Sequence, residues 1–452
     1  MSKNKEIFTV TVNGMTNMGA GVAKSPEGKT LFVKGGVEGD EADVFVIKET
    51  SSYDIAAIET LKKASPYRTE TDCGCYKACG GCVFRHVTYE KEKQIKLEHV
   101  KEAFRRYASL DIDVNTVETA CVDRYRNNVR YPVEKGKDGK LFAGFFSEHS
   151  HRVVNVSDCI TQKTAMTEVL AEIVKLLNEN GLSAYDETSG KGYLRHICLR
   201  TNRYGKVSVC FVVNGKKMSE SLANVSKAIS DRFDNVTGVY VNYNAKNTNV
   251  IFGDVTENII EKEKLTETLC GRTFSISPRS FFQVNTETAE LLFERAGEYL
   301  GANENDVVID LYCGTGTVGI CTVDKKTKLY GCEIIPEAVS DAAVNAEENG
   351  MESFRFDCCD ASEGIKRCKE LFGDATAMTV DPPRKGLSPE TVNAILESGI
   401  PKVVYISCNP DTLARDVKLL GEKYKLERIS LFDMFPRTSH VETVVLMSRD
   451  KE

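Results

Sequence analysis

The sequence predicts a multidomain α/β protein that ends in a doubly wound, Rossmann-like domain. Three observations support this fold class. A chain of 452 residues is too long for one hydrophobic core. Short alternating strands separated by glycines fill the N-terminal end, as in small oligonucleotide-binding (OB-like) barrels. From about residue 271, strand patterns alternate with helix patterns, which is typical of a parallel sheet.

These patterns divide the chain into three predicted domains. Residues 1–63 are expected to form a five-stranded, OB-like β-barrel, because period-two strand patterns there are separated by turn-forming glycines. Residues 64–270 are expected to form an α+β central domain that begins with a cluster of cysteines, and residues 271–452 the Rossmann-like domain. A helix predicted over residues 90–107, with lysines on its outer face, is expected to pack on that last domain.

Apolar runs predict the strands that organise the two larger domains. In the central domain, alternation over residues 193–213 predicts a hairpin. Further runs predict an antiparallel hairpin that closes the chain, at 427–432 and 441–447. The predicted parallel strands of the Rossmann-like domain span residues 306–311, 328–333, 376–381 and 402–407.

The first of these parallel strands runs into a glycine-rich loop. Residues 307–319 read Val-Val-Ile-Asp-Leu-Tyr-Cys-Gly-Thr-Gly-Thr-Val-Gly, and such glycines let the backbone approach a ligand closely. Glu333 ends the next strand, where a carboxylate can accept hydrogen bonds from ribose hydroxyls. The combination favours an adenosine-type ligand over glycines that serve only a tight turn.

Two further strand ends carry reactive side chains. Asp381 and Cys408 each follow a buried strand, and ligands of open α/β sheets lie beyond the carboxyl ends of the strands. A thiolate is intrinsically nucleophilic, which makes Cys408 a candidate nucleophile. The ordinary alternative is a buried packing cysteine, but the position after a strand, together with Asp381, favours catalysis.

A compact cysteine cluster lies near the start of the central domain. Cys73, Cys75, Cys79 and Cys82 fall within ten residues, and thiolate clusters select zinc or iron–sulfur centres. The spacing of Cys75, Cys79 and Cys82 is formally that of radical S-adenosylmethionine enzymes. A zinc knuckle formed by all four cysteines is a further alternative.

Five motifs together resemble those of the RNA uracil-C5-methyltransferase family. The N-terminal segment also resembles the TRAM domain of its ribosomal-RNA members, so the resemblance covers nearly the whole chain. It implies a class I S-adenosylmethionine methyltransferase fold for the last domain. The motifs are, in chain order, FFQVN at 281–285, DLYCGTG at 310–316, DPPRKG at 381–386, SCNP at 407–410 and FPRTSHVETV at 435–444.

This resemblance implies specific residue roles. Cys408 matches the nucleophile that adds to C6 of uracil, and Glu442 the general base that removes the C5 proton. The residues implied to contact S-adenosylmethionine are Gln283, Tyr312, Thr317, Glu333 and Asp381. Those implied to hold a [4Fe–4S] cluster are Cys73, Cys79, Cys82 and Cys159, whereas Cys75 departs from the family pattern.

The implied activity is methylation of uridine C5 in 23S rRNA. The tRNA members of the family typically lack the N-terminal barrel and the cysteine cluster, so their presence here favours large-subunit rRNA as the partner. The alternative functions are a radical S-adenosylmethionine enzyme that modifies RNA and a non-catalytic RNA-binding factor.

The composition predicts a cytoplasmic protein, which is expected to be a monomer. The N-terminus lacks an apolar signal core, and every apolar run is well short of the ~20 residues that cross a bilayer. A formal net charge of −7 argues against indiscriminate binding of polyanions. Residues 124–140 and 191–206 are locally basic with interleaved tyrosines, and they predict the RNA track.

Overall fold

The structure is a computed structural model that describes residues 6–148 and 150–450. Within these residues it contains three main β-sheets and a short β-hairpin, and helices pack on the second and third sheets. The multidomain α/β prediction is therefore confirmed. In the described part of the chain, no helix is both long enough and apolar enough to cross a lipid bilayer.

The N-terminal sheet contains six strands, one more than the sequence predicts. The additional strand has only two residues, which is too short for a period-two pattern to be recognised. Alternate side chains such as Val10, Leu31 and Val44 are buried and form a small separate core. The strands are β1 (Ile7–Thr11), β2 (Gly14–Met15), β3 (Gly21–Lys24), β4 (Thr30–Lys34), β5 (Glu41–Glu49) and β6 (Tyr53–Lys63), in the spatial order β1-β5-β6-β4-β3-β2.

The chain then passes through the cysteine segment into a helix that packs on the third sheet. Helix α1 (Tyr89–Ala103) continues into one turn of π-helix (Phe104–Ala108), close to the predicted helix. Val100 and Phe104 are buried in the same apolar core as the strands of the third sheet. Lys96 does not lie on an exposed lysine face, because its side chain is buried between carboxylates.

The central sheet has seven strands and is covered by two helices, α2 (Thr164–Glu179) and α3 (Glu220–Arg232). The predicted hairpin is confirmed, because β11 and β12 pair antiparallel. A two-residue strand, β7 (Val117–Glu118), precedes this sheet. The strands of the sheet are β8 (Asn128–Lys135), β9 (Leu141–Phe146), β10 (Val153–Asn155), β11 (Leu194–Thr201), β12 (Val207–Val213), β13 (Val236–Tyr243) and β14 (Val255–Glu261), in the order β10-β9-β8-β11-β12-β13-β14.

The third sheet has the Rossmann-like arrangement and follows a hairpin of β15 (Thr266–Leu269) and β16 (Arg272–Ser275). Its parallel strands are β17 (Val307–Leu311), β18 (Lys328–Glu333), β19 (Phe354–Cys358), β20 (Ala377–Val380) and β21 (Lys402–Ser407). An antiparallel pair, β22 (Tyr424–Phe432) and β23 (Glu442–Arg449), closes it. The helices are α4 (Thr286–Leu300), α5 (Thr317–Thr322), α6 (Pro336–Glu348), α7 (Ala361–Phe372), α8 (Pro389–Ser398) and α9 (Pro410–Leu420).

The strand order of the third sheet is β19-β18-β17-β20-β21-β23-β22-β7. The four predicted parallel strands and the closing hairpin are confirmed, and two strands are additional. Sequence patterns do not predict β19, because its side chains are mostly half-buried or exposed and form no continuous apolar run. The short strand β7 extends the sheet by pairing in parallel with β22. The expected boundary after residue 270 falls in the turn of the β15–β16 hairpin.

Candidate active site

The strand order creates a ligand crevice at the carboxyl ends of β17 and β20. The chain runs from β17 to β18 and β19 on one side, and returns to β20 and β21 on the other. Ligands bind at such a reversal of strand order in open α/β sheets, because the connections diverge there. Tyr312 and Asp381 follow these two strands, and the Asp381 N–H donates to the carbonyl oxygen of Leu311 at 3.3 Å.

The glycine-rich loop depends on backbone conformations that most residues avoid. Gly314 and Gly316 have φ values of 52° and 78°, and Tyr312 has a φ of 60°. A Cβ atom on Gly316 would lie 3.1 Å from Ile320 and 3.2 Å from Ala342. Gly316 immediately precedes α5, so this position requires glycine both for its conformation and for lack of space.

The buried carboxyl group of Asp310 fixes the glycine-rich loop through hydrogen bonds. Asp310 accepts hydrogen bonds from the Gly319 N–H at 2.9 Å and from the Thr379 hydroxyl at 2.7 Å. Burial raises the pKa of Asp310 to about 6, and the two donors oppose that shift. Asp310 therefore ties the start of α5 to strands β17 and β20.

A cavity of about 290 Å³ lies beside the loop, and Tyr312 and Glu333 both line it. The Tyr312 hydroxyl lies 3.2 Å from Thr391 Oγ1. Oε1 of Glu333 accepts the N–H groups of Ile334 and Ile335 at 2.8 and 3.1 Å, which orients the carboxylate. The structure thus brings two of the five predicted cofactor contacts into one cavity.

The other three predicted cofactor residues do not line this cavity. Thr317 is buried as the first residue of α5. Gln283 is half-buried in the segment before α4, where its backbone carbonyl accepts a hydrogen bond from Asn127 Nδ2 at 2.9 Å. Asp381 lies instead close enough to Cys408 to influence its thiol.

Cys408 and Glu442 meet where β21 ends and β23 begins. These strands are antiparallel, and their register pairs Ser407 with Thr443. Cys408 and Glu442 are the next residues beyond this pair, and they lie close enough that, besides burial, the Glu442 charge raises the pKa of Cys408. With Asp381, the structure therefore brings together one thiol and two carboxyl groups that are distant in the sequence.

Burial favours the protonated forms of all three groups. Burial raises the pKa of Cys408 to about 11, with further contributions from the charges of Glu442 and Asp381. The pKa of Glu442 rises to about 8 and that of Asp381 to about 7, and burial is the largest cause in both. A carboxyl group with a pKa near 8 suits proton transfer near neutral pH.

Sequence patterns alone do not single out two further residues of this site, Arg384 and His440. Arg384 Nη2 lies 3.2 Å from His440 Nε2, and the Arg384 charge acts to lower the pKa of Cys408. Burial, followed by the charge of Arg384, lowers the pKa of His440, so its ring stays neutral and can accept the Arg384 hydrogen bond. Arg384 belongs to the DPPRKG motif and His440 to the FPRTSHVETV motif, but a sequence motif does not show which of its side chains lie in contact.

The predicted metal-binding cysteines line a larger cavity of about 650 Å³. The structure brings Cys159 to the same cavity as the local cysteines, including Cys75. Burial raises the pKa of Cys79, and it raises that of Cys82 to about 11. Within residues 6–148 and 150–450, no group of three or more Cys, His, Asp or Glu side chains is arranged to hold a metal ion.

The wall of this larger cavity is rich in arginine. Phe281, at the edge of the cavity, is 67% exposed. No Asp or Glu is among the described residues that line it. The surface therefore combines positive charge with an exposed aromatic ring, as RNA-binding surfaces do. The arginines that line the cavity are Arg85, Arg126, Arg130, Arg200 and Arg279.

The two basic stretches differ in their positions. Residues 124–140 contribute Arg126 and Arg130 to the cavity. In the other stretch, Arg195 is buried and its Nη1 donates to two backbone carbonyl oxygens at 3.0 and 2.8 Å, while Arg203 forms an ion pair with Glu290. Arg195 is therefore fixed within the central domain and Arg203 is paired with helix α4, whereas Arg200 lines the cavity, so only part of residues 191–206 is placed for the predicted RNA track.

Residues 88–450 match the protein family described as tRNA (uracil-5-)-methyltransferase. The chain is 37% identical to an uncharacterized RNA methyltransferase of Bacillus cereus (strain ATCC 10987 / NRS 248), over 99% of this chain and 97% of the relative. It is 36% identical to an uncharacterized RNA methyltransferase of Oceanobacillus iheyensis, over 98% of this chain and 96% of the relative.

Among solved structures, the chain is similar to the tRNA (uracil-54, C5)-methyltransferase of Pyrococcus abyssi in complex with S-adenosyl-L-homocysteine. The TM-score is 0.77 at 25% identity, over 97% of this chain and 100% of that chain. This match extends over nearly the whole chain, so the N-terminal sheet does not by itself distinguish an rRNA enzyme from a tRNA enzyme. The family match, the near full-length relatives and the shared fold show that this chain belongs to the tRNA (uracil-5-)-methyltransferase family.

Proposed function

We propose that this protein transfers a methyl group to C5 of a uridine in RNA through a covalent bond between Cys408 and C6 of the base. The observation that carries this proposal is the placement of Cys408 opposite Glu442, with Asp381 close by. Substitution at C5 of uracil needs a nucleophile for C6 and a base for the C5 proton, and this site offers both.

The proposed reaction uses Cys408 and Glu442 of this chain together with the methyl donor. The Cys408 thiolate adds to C6, and the electron pair of the C5–C6 double bond makes C5 nucleophilic. C5 then takes the methyl group of S-adenosylmethionine, and the methyl carbon–sulfur bond of the donor breaks to leave S-adenosylhomocysteine. Glu442 removes the C5 proton, the double bond forms again, and the C6–S bond breaks to release the thiolate. Arg384 favours the thiolate, because its positive charge opposes the rise in the Cys408 pKa.

The cavity of about 290 Å³ is the proposed site for the nucleoside part of the methyl donor. The glycine conformations at 314 and 316 and the oriented Glu333 carboxylate fit a ribose-bearing ligand. Tyr312 and Glu333 are proposed to contact the donor there, and Gln283, Thr317 and Asp381 are proposed as further contacts.

The larger cavity is proposed to hold a [4Fe–4S] cluster on Cys73, Cys79, Cys82 and Cys159. The donor chemistry fits, because thiols share this cavity and no described carboxylate lines it. The proposed role is to join the cysteine segment to the central domain rather than to transfer methyl groups. Iron and sulfide assays on anaerobically purified protein test the assignment, with about four irons per chain expected. Stoichiometric zinc without iron would overturn it.

The apolar cores of the described residues support the proposed domains. Residues 1–63 are proposed as a TRAM domain, 64–270 as the central domain and 271–452 as the methyltransferase domain. The first two sheets each have a separate apolar core. Helix α1 belongs to the central segment by sequence but shares the core of the third sheet.

23S rRNA is the proposed target, because the cysteine motif resembles that of ribosomal-RNA members. The structural similarity to a tRNA enzyme makes a tRNA uridine the second candidate. Mass mapping of 5-methyluridine in rRNA and tRNA, from cells with and without this protein, tests both. Loss of 5-methyluridine from 23S rRNA supports the first target, whereas loss confined to tRNA overturns it in favour of the second.

A further inference from the structure

The segment between β22 and β23, residues 433–441, leads directly to Glu442 and carries His440. Elements outside the third sheet supply many of its hydrogen bonds. Tyr125 donates its hydroxyl hydrogen to the carbonyl oxygen of Pro436 at 3.0 Å, and helix α1 and the chain just after Cys82 supply further contacts. We call residues 433–441 the base-bearing segment.

One set of contacts is a buried ionic group on helix α1. Lys96 Nζ donates to Glu92 Oε1 at 2.7 Å and to Asp433 Oδ1 at 2.8 Å. All three side chains are at most 1% exposed, and the Tyr89 hydroxyl donates to Asp433 Oδ2 at 2.9 Å. Burying such charges is costly, so a buried ion group is better explained by the geometry it fixes than by added stability.

The second set of contacts converges on Arg437. Its N–H donates to Glu92 Oε1 at 2.7 Å, and its Nη1 donates to the carbonyl oxygen of Val87 at 3.1 Å. Its carbonyl oxygen accepts the N–H groups of Val83 and Phe84 at 2.8 and 3.2 Å. Arg437 has a φ of 72°, a conformation that L-residues adopt only where surrounding contacts impose it.

We propose that Lys96, Glu92 and Arg437 are positioning residues that hold the base-bearing segment so that Glu442 faces Cys408. This inference rests on the uridine methylation proposed above. It also connects the cysteine segment to the catalytic carboxyl group, because Val83 and Phe84 follow Cys82 directly and bind the Arg437 carbonyl.

The proposed positioning of Glu442 affects one step of the reaction, the removal of the C5 proton. Addition of the Cys408 thiolate and transfer of the methyl group do not require Glu442. Removal of the C5 proton does, and only this removal lets the double bond form again and the C6–S bond break. A displaced Glu442 should therefore leave RNA methylated but still bound covalently to Cys408.

The test uses full-length protein with RNA from cells that lack it, labelled with [5-³H]uridine, and a methyl donor labelled with carbon-14. Tritium release reports proton removal, and carbon-14 in a denaturant-stable protein–RNA complex reports the methylated adduct. Lys96→Met and Arg437→Gly should reduce tritium release about tenfold while the labelled adduct accumulates. Glycine suits the φ of 72°, so Arg437→Gly removes the guanidinium contacts and keeps the backbone ones.

The controls separate positioning from general damage. Lys101→Met makes the same change elsewhere on α1 and should release tritium at the wild-type rate. Glu92→Gln keeps an acceptor for the Arg437 N–H. Its rate of tritium release should lie between those of wild type and Lys96→Met. If Lys96→Met does not fold, Arg437→Gly decides the question.

Three outcomes contradict the proposal: two overturn only the positioning role, and the third also overturns the proposed function. The positioning role alone is overturned if both variants lose methyl incorporation and tritium release in parallel. It is also overturned if both variants release tritium at the wild-type rate. Wild-type protein that neither methylates this RNA nor releases tritium overturns the proposed function, and this inference with it.

Discussion

The proposed role of Glu442 as the base predicts that the reaction rate rises with pH. The pKa of Glu442 is raised to about 8, so only a minority of molecules carry the carboxylate base at pH 7. The single-turnover rate of methylated product release should therefore increase about fivefold or more between about pH 7 and pH 9. Glu442→Gln should remove this inflection as well as most of the activity. A rate that falls over this interval would contradict the role of Glu442.

The burial of the Glu442 and Asp381 carboxyl groups should make wild-type protein less stable as the pH rises. The folded-state pKa values of Glu442 and Asp381 are about 8 and 7, above the ordinary carboxyl values near 4. Between these limits the folded state binds more protons than the unfolded state, so the free energy of unfolding decreases with rising pH.

Glu442→Gln removes the contribution of that residue and should be more stable than wild type at pH 9, by on the order of 5 kcal/mol. Near pH 4 the folded and unfolded carboxyl groups are both largely protonated, so the two proteins should differ little there. Urea denaturation at the two pH values measures the difference. An equal difference at both would show that the residue acts by packing rather than by charge.

At the residue scale, the sequence predicts which side chains react but not which ones meet. Cys408 and Glu442 are recognisable from separate motifs, but they face each other only because the β21–β23 register pairs Ser407 with Thr443. Lys96 has the pattern of an exposed helix lysine, and its burial depends on Asp433 from a distant part of the chain. Such pairings depend on tertiary contacts, which local patterns do not contain.

At the scale of elements, the glycine loop before α5 should be intolerant of any side chain. Gly316→Ala places a methyl group 3.1 to 3.3 Å from three side chains and forces alanine to adopt a φ of 78°. The affinity for S-adenosylmethionine, measured by equilibrium dialysis, should fall about tenfold or more, because the loop must move.

Gly399→Ala is the matched control for this change. Gly399 ends α8 with a φ of 74°, and a Cβ atom there would meet nothing within 4 Å. That variant should lose about 1–2 kcal/mol of stability from the backbone conformation and keep its cofactor affinity. Equal loss of affinity in both variants would mean that the loop is not the binding element.

The sequence predicts strands that consist of long apolar runs, and it does not predict strands of only two residues. The buried strands β17, β18, β20 and β21 are apolar runs bounded by turns, and each is recognisable from the sequence. Strands β2 and β7 have two residues each and exist because neighbouring strands offer them partners. The π-helical end of α1 likewise has no local sequence signal.

At the scale of the whole molecule, an acidic chain should still bind RNA in a salt-dependent manner. The net charge is −7, but arginines gather at the larger cavity without a described lining carboxylate. Arg126→Gln and Arg130→Gln should each weaken RNA binding and reduce the slope of log affinity against log salt by about 0.7. Arg232→Gln on α3, whose partner is Glu172, should leave that slope unchanged.

Filter-binding titrations over a range of potassium chloride concentrations measure these slopes. A slope unchanged by both cavity variants would place the RNA elsewhere on the molecule. The expected dependence follows from counterion release by phosphate contacts, which depends on local charge rather than on the net charge of the protein.

The most direct test of uridine methylation through Cys408 is peptide mass spectrometry of protein trapped on RNA that contains 5-fluorouridine. Fluorine at C5 cannot leave as a proton does, so elimination stops after methyl transfer. We predict that the Cys408 peptide carries a methylated fluorouridine nucleotide. We also predict that Cys408→Ala forms no such complex and still binds S-adenosylmethionine. A nucleotide bound to another cysteine, or no covalent complex with active wild-type protein, would contradict the proposed mechanism.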